Sequence, residues 1–271
     1  MSSADLYLTD PLFAIEYVRH DPDHRMTNFH YHQSYELYFL EEGAHPMLIQ
    51  DSIHELASYD VALFKPQVFH KSRRNQSCAR TCVYFTDRFL RLNFTERSIR
   101  SLLSCFDQDI ISVSREAFPR VKKLLLRLEQ EQVSNPDNRI FIYLAELLNL
   151  LNESKGAPRL EHKPSAHAKF TPILTYINQN YNQLGSIEEI ADQFKLSKYY
   201  LCRIFKEATG LTLMQYINSI KIQNACNLLV NSDLSILEIG AACGFNSSMY
   251  FCKIFKQALS VTPSEFRKNA Q

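Results

Sequence analysis

Along the first third of the chain the apolar positions fall in short runs rich in aromatic and β-branched residues, at 35–40, 46–49, 61–64 and 81–85, separated by polar turns. Short runs spaced about ten residues apart predict the strands of a small antiparallel barrel or sandwich. After about Thr86 the period lengthens. Residues 116–132 carry Val121, Leu124, Leu125 and Leu128, and residues 140–151 carry Ile140, Leu144, Leu147, Leu148 and Leu151, both at helical spacing. Asn135-Pro136-Asp137 between them reads as a turn, which gives a helical hairpin. Its leucines exceed what one face needs to cover a small barrel, so the hairpin is expected to pair two copies of the chain, with Leu147 and Leu151 in the contact. Residues 152–169 hold Gly156, Pro158 and Pro164 among charged and small residues, with no apolar period, and read as a linker.

The last hundred or so residues contain a duplication. Ser186-Ile-Glu-Glu-Ile-Ala returns as Ser235-Ile-Leu-Glu-Ile-Gly, 49 positions on, and Tyr200-Leu-Cys-Arg-Ile-Phe-Lys returns as Tyr250-Phe-Cys-Lys-Ile-Phe-Lys, 50 positions on. Each copy opens with a serine followed three residues later by Glu189 or Glu238, the spacing of a capping box. A turn comes at Phe194-Lys195-Leu196 in one copy and Cys243-Gly244-Phe245 in the other, after which Ser197 or Asn246 can cap a second helix. Two helices joined this way form a helix-turn-helix unit.

On the second helices, Tyr200, Leu201, Ile204 and Phe205, with their counterparts Tyr250, Phe251, Ile254 and Phe255, form apolar stripes assigned to the core. The opposite faces carry Tyr199, Cys202, Arg203 and Lys206 in one copy and Met249, Cys252, Lys253 and Lys256 in the other. On a single helix such a set would read as a solvated face. Repeated at the same place in two capped units, it predicts reading of double-stranded DNA in the major groove, with Lys198, Asn246, Ser247 and Ser248 at the helix starts joining the contact.

Residues 168–271 resemble the DNA-binding domain of the AraC-type transcription regulators, through Gly244-Phe245, Tyr250-Phe251, Phe255-Lys256, Thr262-Pro263 and Phe266-Arg267. The resemblance spans both copies and implies two helix-turn-helix motifs joined by a long helix, here about 213–229, that holds both reading helices on one side of the DNA. Ser260 stands where the family usually has glycine and Lys221 where arginine is common, departures expected to alter a helix end and a salt bridge. The resemblance also implies RNA polymerase as a partner, with activation the commoner outcome.

Composition narrows the class without naming it. With 45% apolar and 22% charged residues over 271, the chain has the balance of a globular protein, which excludes disorder along its whole length. The best candidate for a membrane span, 141–151, is interrupted by Glu146 and Asn149 and falls short of the roughly 18 residues required, so no membrane partner is expected. The first residues, MSSADLYLTDPLF, lack the basic start and apolar block of a secretory signal, and the expected location is cytoplasmic. Seven cysteines without a CxxC pair suggest neither a disulfide framework nor a zinc ribbon, and Cys78 and Cys82 read as reduced thiols. The net charge of +1 divides unevenly, with ten basic against seven acidic residues in 168–271 and twenty against twenty-two before it. That excess permits nucleic-acid binding but is too small to argue for it alone.

In the N-terminal part, His30, His32, Glu36 and His70 form a constellation that could carry chemistry. In a strand, positions 30, 32 and 36 share parity and point to one face. His-x-His, a Glu four residues later and a distant His, together with Gly43, Asp60 and Pro66, are similar to the metal motif of cupin barrels. Tyr59, Gln67 and Arg74 depart from it, standing where glycine, glycine and asparagine are usual. One reading is a sensory pocket in which His30, His32, Glu36, Tyr38 and His70 bind a small organic effector without metal, and polar aromatic pockets suit sugars. The AraC-type sensory barrels often keep this histidine pattern without known metal chemistry. The other is a metal-dependent cupin enzyme, using iron, manganese or zinc, fused to a DNA-binding domain. The first is preferred because a sensor needs convergent polar groups but no metal, so no catalytic residue, metal or cofactor is assigned. A Gly-rich phosphate loop and a recognisable Ser/His/Asp arrangement are both missing from the sequence.

The expected protein is α+β and multidomain: an N-terminal cupin-like antiparallel β-barrel with a helical hairpin in 1–151, a linker in 152–167, and an all-α domain with two helix-turn-helix motifs in 168–271. It is expected to work as a homodimeric, effector-controlled regulator of transcription.

Overall fold

A computed structural model describes residues 11–20, 34–66, 68–72, 77–134, 139–156 and 170–270. Its strands are β1 (Phe13–His20), β2 (Tyr35–Glu42), β3 (Ala44–Ile49), β4 (Ser52–Ala57), β5 (Asp60–Phe64), β6 (His70–Ser72), β7 (Cys78–Phe85) and β8 (Ile110–Ser112). They form two antiparallel sheets, in the orders β1-β7-β2-β5-β8 and β4-β3-β6, that face each other as an open barrel. The four apolar runs of the sequence are β2, β3, β5 and β7.

The central strands are buried on both sides, which explains their almost unbroken apolar character. Tyr38 and Leu40 of β2, Phe64 of β5, and Cys82 and Tyr84 of β7 face Met47, Ile49 and Leu56 between the sheets. Their alternate neighbours Leu37, Phe39, Leu63, Val83 and Phe85 face outward onto helices. Two positions demand unusual backbone. Gly43 turns β2 into β3 at φ 100°, where a Cβ would lie 2.9 Å from the Ser77 carbonyl oxygen. Tyr59, which replaces the glycine of the cupin pattern, takes φ 78° between β4 and β5 and packs its ring on Phe118.

The helices on the outer face of the larger sheet are α1 (Asp87–Asn93), α2 (Glu96–Leu102), α3 (Phe118–Ser134) and α4 (Ile140–Glu153), with a 3-10 turn at Leu103–Asp107. Helices α3 and α4 are the expected hairpin, whose turn at 135–137 lies outside the described residues. Leu144, Leu147, Leu148 and Leu151 are fully buried within the single chain. That corrects the expected place of Leu147 and Leu151 in a contact between copies, because both are consumed by the barrel's own core. The apolar residues that the hairpin leaves exposed are Leu126, Val133 and Ile142.

The C-terminal part contains α5 (Thr171–Asn180), α6 (Ile187–Gln193), α7 (Lys198–Thr209), α8 (Leu213–Asn231), α9 (Ile236–Ala242), α10 (Ser248–Leu259) and α11 (Pro263–Ala270). The pairs α6–α7 and α9–α10 are the two helix-turn-helix units, and α8 joins them. Ser235 and Glu238 make the reciprocal capping box. In the first copy Ser186 accepts from the Glu189 amide, but the Glu189 carboxylate accepts from Gly185 instead of the cap residue. The cap of α10 is Ser247, not Asn246. The 50-residue offset after the turn already maps Ser197 onto Ser247.

The second unit closes its own core, with Ile222, Leu229, Ile239, Phe251 and Phe255 in one cluster. The first unit does not. Its core residues Leu174, Leu201, Phe205 and Tyr216 form one cluster with Leu48, Ile53 and Phe69 on the outer face of the smaller sheet. Tyr216 donates through its hydroxyl to the Gln50 carbonyl (2.9 Å) and accepts from Asn178 (2.6 Å). The two units are also locked together, because a Cβ on Gly244, at φ 76°, would lie 2.3 Å from the Asn182 carbonyl oxygen. Lys221 donates to the Gly244 carbonyl at 2.6 Å and lies over the Phe245 ring, so at this position a hydrogen bond to backbone replaces the expected salt bridge.

Candidate functional site

The duplicated faces form as the spacing requires. Ser197 and Ser247 accept the Tyr200 and Tyr250 amide hydrogens, which fixes the first turns of α7 and α10. Beyond the caps, Tyr199 and Met249 are 87% and 82% exposed. Arg203, Lys206, Lys253 and Lys256 are exposed on the same faces, Cys202 and Cys252 are half-buried, and Lys198, Asn246 and Ser248 stand exposed at or beside the helix starts. Leu201, Phe205, Phe251 and Phe255 are buried as expected.

Tyr200 and Tyr250 depart from the expected stripe, each being 44% exposed. The Arg203 guanidinium lies 5.5 Å from the Tyr200 ring centre, and Asn218 donates to the Tyr250 hydroxyl. A tyrosine at a stripe edge keeps its ring on the helix and its hydroxyl in water, a possibility that apolar counting overlooks. The first unit also holds an acidic group that sequence reasoning missed. Glu188 accepts from Lys198 at 2.6 Å, and this bond keeps its carboxyl below the usual range. The second unit has Leu237 and Ser248 at these positions.

Between the sheets, the inward faces of β2, β6 and β7 bring Glu36, Tyr38, His70, Arg80 and Tyr84 around a cavity of about 10 Å³, the room of about one water. Glu36 thus lies on the inward face with Tyr38, while His30 and His32, which strand parity placed with Glu36, lie outside the described residues. His70 contacts Glu36 through Nε2 (3.1 Å) and the Val68 carbonyl through Nδ1 (3.0 Å), and its ring stacks on Phe64. A carbonyl only accepts, so Nδ1 carries the ring hydrogen and Nε2 is the atom turned toward Glu36.

Sequence reasoning missed Arg80, which is 3% exposed on the inward face of β7. Its Nη1 donates to the Cys82 sulfur, its Nε points at His20 (3.4 Å), and its guanidinium lies 5.4 Å from the Tyr38 ring centre. Burial pushes the Cys82 thiol far up, so the sulfur stays protonated and brings no negative charge. The signal was available: Arg80 is the one charged residue in the strand CARTCVYF. A wider groove of about 180 Å³ lies between β1 and α3, where buried Glu41 accepts from Thr81 (2.6 Å) and faces Lys122 (3.1 Å).

A buried polar pocket in a β-domain, followed by two capped helix-turn-helix units, defines a regulator that joins a ligand site to DNA. Residues 13–155 match the AraC-like ligand binding domain, and residues 190–269 match a helix-turn-helix domain. The chain belongs to the AraC family of transcription regulators.

It is 29% identical over 152 residues to the uncharacterized HTH-type transcriptional regulator YijO of Escherichia coli (strain K12), a match covering 55% of this chain and only 53% of that relative. It is 24% identical over 245 residues to the HTH-type transcriptional activator RhaS of Escherichia fergusonii, covering 88% of this chain and 87% of RhaS. Among solved structures it is similar to ToxT from Vibrio cholerae, with 16% identity, a TM-score of 0.38 and coverage of 95% and 98% of the two chains. The DNA-binding domain of AdpA in complex with a target DNA is 23% identical with a TM-score of 0.35, covering 36% of this chain and 88% of AdpA's. Among the described residues, no helix is long and apolar enough to cross a membrane.

Proposed function

We propose that this chain is a cytoplasmic, non-enzymatic regulator in which a small polar effector, of about sugar size, binds between the sheets and changes how α7 and α10 meet DNA. The observation that carries the reading is the three-residue strand β6. His70 faces the cavity, while Lys71 donates to the Gly210 carbonyl at 3.2 Å. Gly210 is the left-handed cap that ends α7. One short strand therefore touches the effector cavity on one side and the end of a reading helix on the other. An effector that displaces His70 acts on α7 through Lys71, which is the differential contact that coupling between two sites requires.

On the DNA side, Tyr199, Cys202, Arg203 and Lys206, with Met249, Cys252, Lys253 and Lys256, form the two reading faces, flanked by Lys198, Asn246, Ser247 and Ser248. Arg203 and Lys253 sit mid-face and suit base edges, whereas Lys206 and Lys256, in the last turn, suit phosphates. The protein works as a dimer and activates transcription through RNA polymerase. Sequencing the DNA fragments that the full chain captures tests this reading. A shared sequence with two elements, lost from the fragments captured by the Arg203→Ala, Lys253→Ala double variant, is the expected result. Capture without sequence preference would overturn it.

A further inference from the structure

The buried charges of the barrel differ in how they are matched. Glu36 faces His70, Glu41 faces Lys122, and Asp60 accepts from Ser112 and the Ala57 amide. Arg80 is as deeply buried as any of them, yet among the described residues no carboxylate lies within ion-pair distance of it. Its partners are a neutral thiol, an imidazole nitrogen and the face of an aromatic ring, and its Nη2 has no acceptor among the described residues. Glu36 attracts the guanidinium across the cavity without pairing with it, and the planar fork of Arg80 matches the two oxygens of a carboxylate or phosphate. Glu36 is the one carboxylate among the residues that line the cavity, and its near partner is His70.

We propose that the effector carries a compact oxyanion, a carboxylate or phosphoryl group, and that Arg80 receives it. The inference rests on the reading of this cavity as the effector site and specifies the ligand's chemical class. Tyr38, Tyr84 and the Glu36–His70 pair supply donors and acceptors for hydroxyl groups, so a sugar acid or sugar phosphate suits the site better than a neutral sugar. The cavity of about 10 Å³ holds no organic anion as it stands. Entry therefore displaces a side chain around the cavity.

Thermal unfolding of the full chain at constant ionic strength tests the proposal, with matched probes at equal concentration: glucuronate, glucose 6-phosphate and glucose, and acetate against acetamide. At least one anionic probe should raise the wild-type midpoint by about 4 °C more than its neutral counterpart. Glucuronate and glucose 6-phosphate tell a carboxylate site from a phosphoryl site. Arg80→Met should abolish the difference. Arg80→Lys keeps the charge without the fork and should keep part of the difference, a result readable even if Arg80→Met does not fold.

Equal stabilisation by glucose and its anionic relatives, unchanged in Arg80→Lys, would overturn the anion assignment and leave the effector site standing. Anion stabilisation that persists in Arg80→Met would place the anion elsewhere and overturn the assignment to Arg80. No shift with any probe would remove the assignment and the effector reading together.

Discussion

Ser260 ends α10 at φ 62°, at the place where the first unit has Gly210 at φ 71°. The left-handed region costs a residue with a Cβ about 1 kcal/mol relative to glycine. Ser260→Gly should thus stabilise the second unit by ~0.5–1 kcal/mol, seen as a higher urea midpoint with an unchanged slope. A lower midpoint would mean that the serine side chain makes up the strain through its own contacts.

On the reading faces the residue-scale prediction separates specificity from affinity. Arg203→Ala should cost about 1–3 kcal/mol on the preferred duplex and little on random DNA. Lys206→Ala should weaken all duplexes alike and flatten the salt dependence by about one unit. Equal losses of Arg203→Ala on both duplexes would remove its role as a base reader. Both faces were legible because helical spacing survives without knowledge of tertiary packing. Arg80 showed as the one charge in its strand, but its role needed β2 beside it and β6 across the cavity. Tyr200 and Tyr250 misled because they count as apolar while their hydroxyls reach water.

At the scale of elements, legibility followed length. The hairpin α3–α4 spans enough turns for a period to show. The joining helix α8 came from the family resemblance, because its apolar residues are spread around its circumference. Helices α1 and α2, of seven residues each, are too short to show a period. Their signal lies in the caps instead, because Thr86 and Thr95 accept the Phe89 and Ser98 amides. Strands β6 and β8, of three residues each, carry no alternation to read. The hairpin shows what periodicity leaves open: it marks an apolar face but not what covers that face. Leu147→Ala should cost ~2–5 kcal/mol in unfolding with no change of oligomeric state at concentrations where the protein remains folded. If the hairpin pairs two chains, the contact uses Leu126 and Ile142, about half exposed at 49% each. The Leu126→Glu, Ile142→Glu double variant should then sediment as a folded monomer, and an unchanged mass would move the interface elsewhere.

For the whole molecule, the boundary between sensor and reader is where sequence and structure part most. Residues 152–169 read as a linker between independent domains, and a fragment starting at 168 then looks self-sufficient. Instead the smaller sheet is covered on one face by the larger sheet and the cavity between them, and on the other by the first helix-turn-helix unit. Leu48, Ile53 and Phe69 are surface positions of the barrel only until Phe170, Ile173, Leu174 and Tyr216 pack on them. No local pattern could reveal this, because each side shows an ordinary apolar stripe.

The arrangement predicts unequal behaviour of the two units. In a fragment of residues 168–271 the first unit loses part of its core and the Tyr216 bond to Gln50, while the second keeps its own cluster. Amide exchange in the fragment should therefore be faster than in the full chain for α5 and the first half of α8, and unchanged for α9 and α10. Phe69→Ala in the full chain removes one wall of the same contact and should cost ~3–5 kcal/mol, with exchange accelerating in α5. Lys71→Met keeps the apolar contact and deletes the bond to Gly210, so it should leave exchange in α5 unchanged while reducing the effect of a stabilising anion on DNA affinity. Uniform protection in the fragment, or full effector response in Lys71→Met, would show that the barrel and the reader communicate by another route.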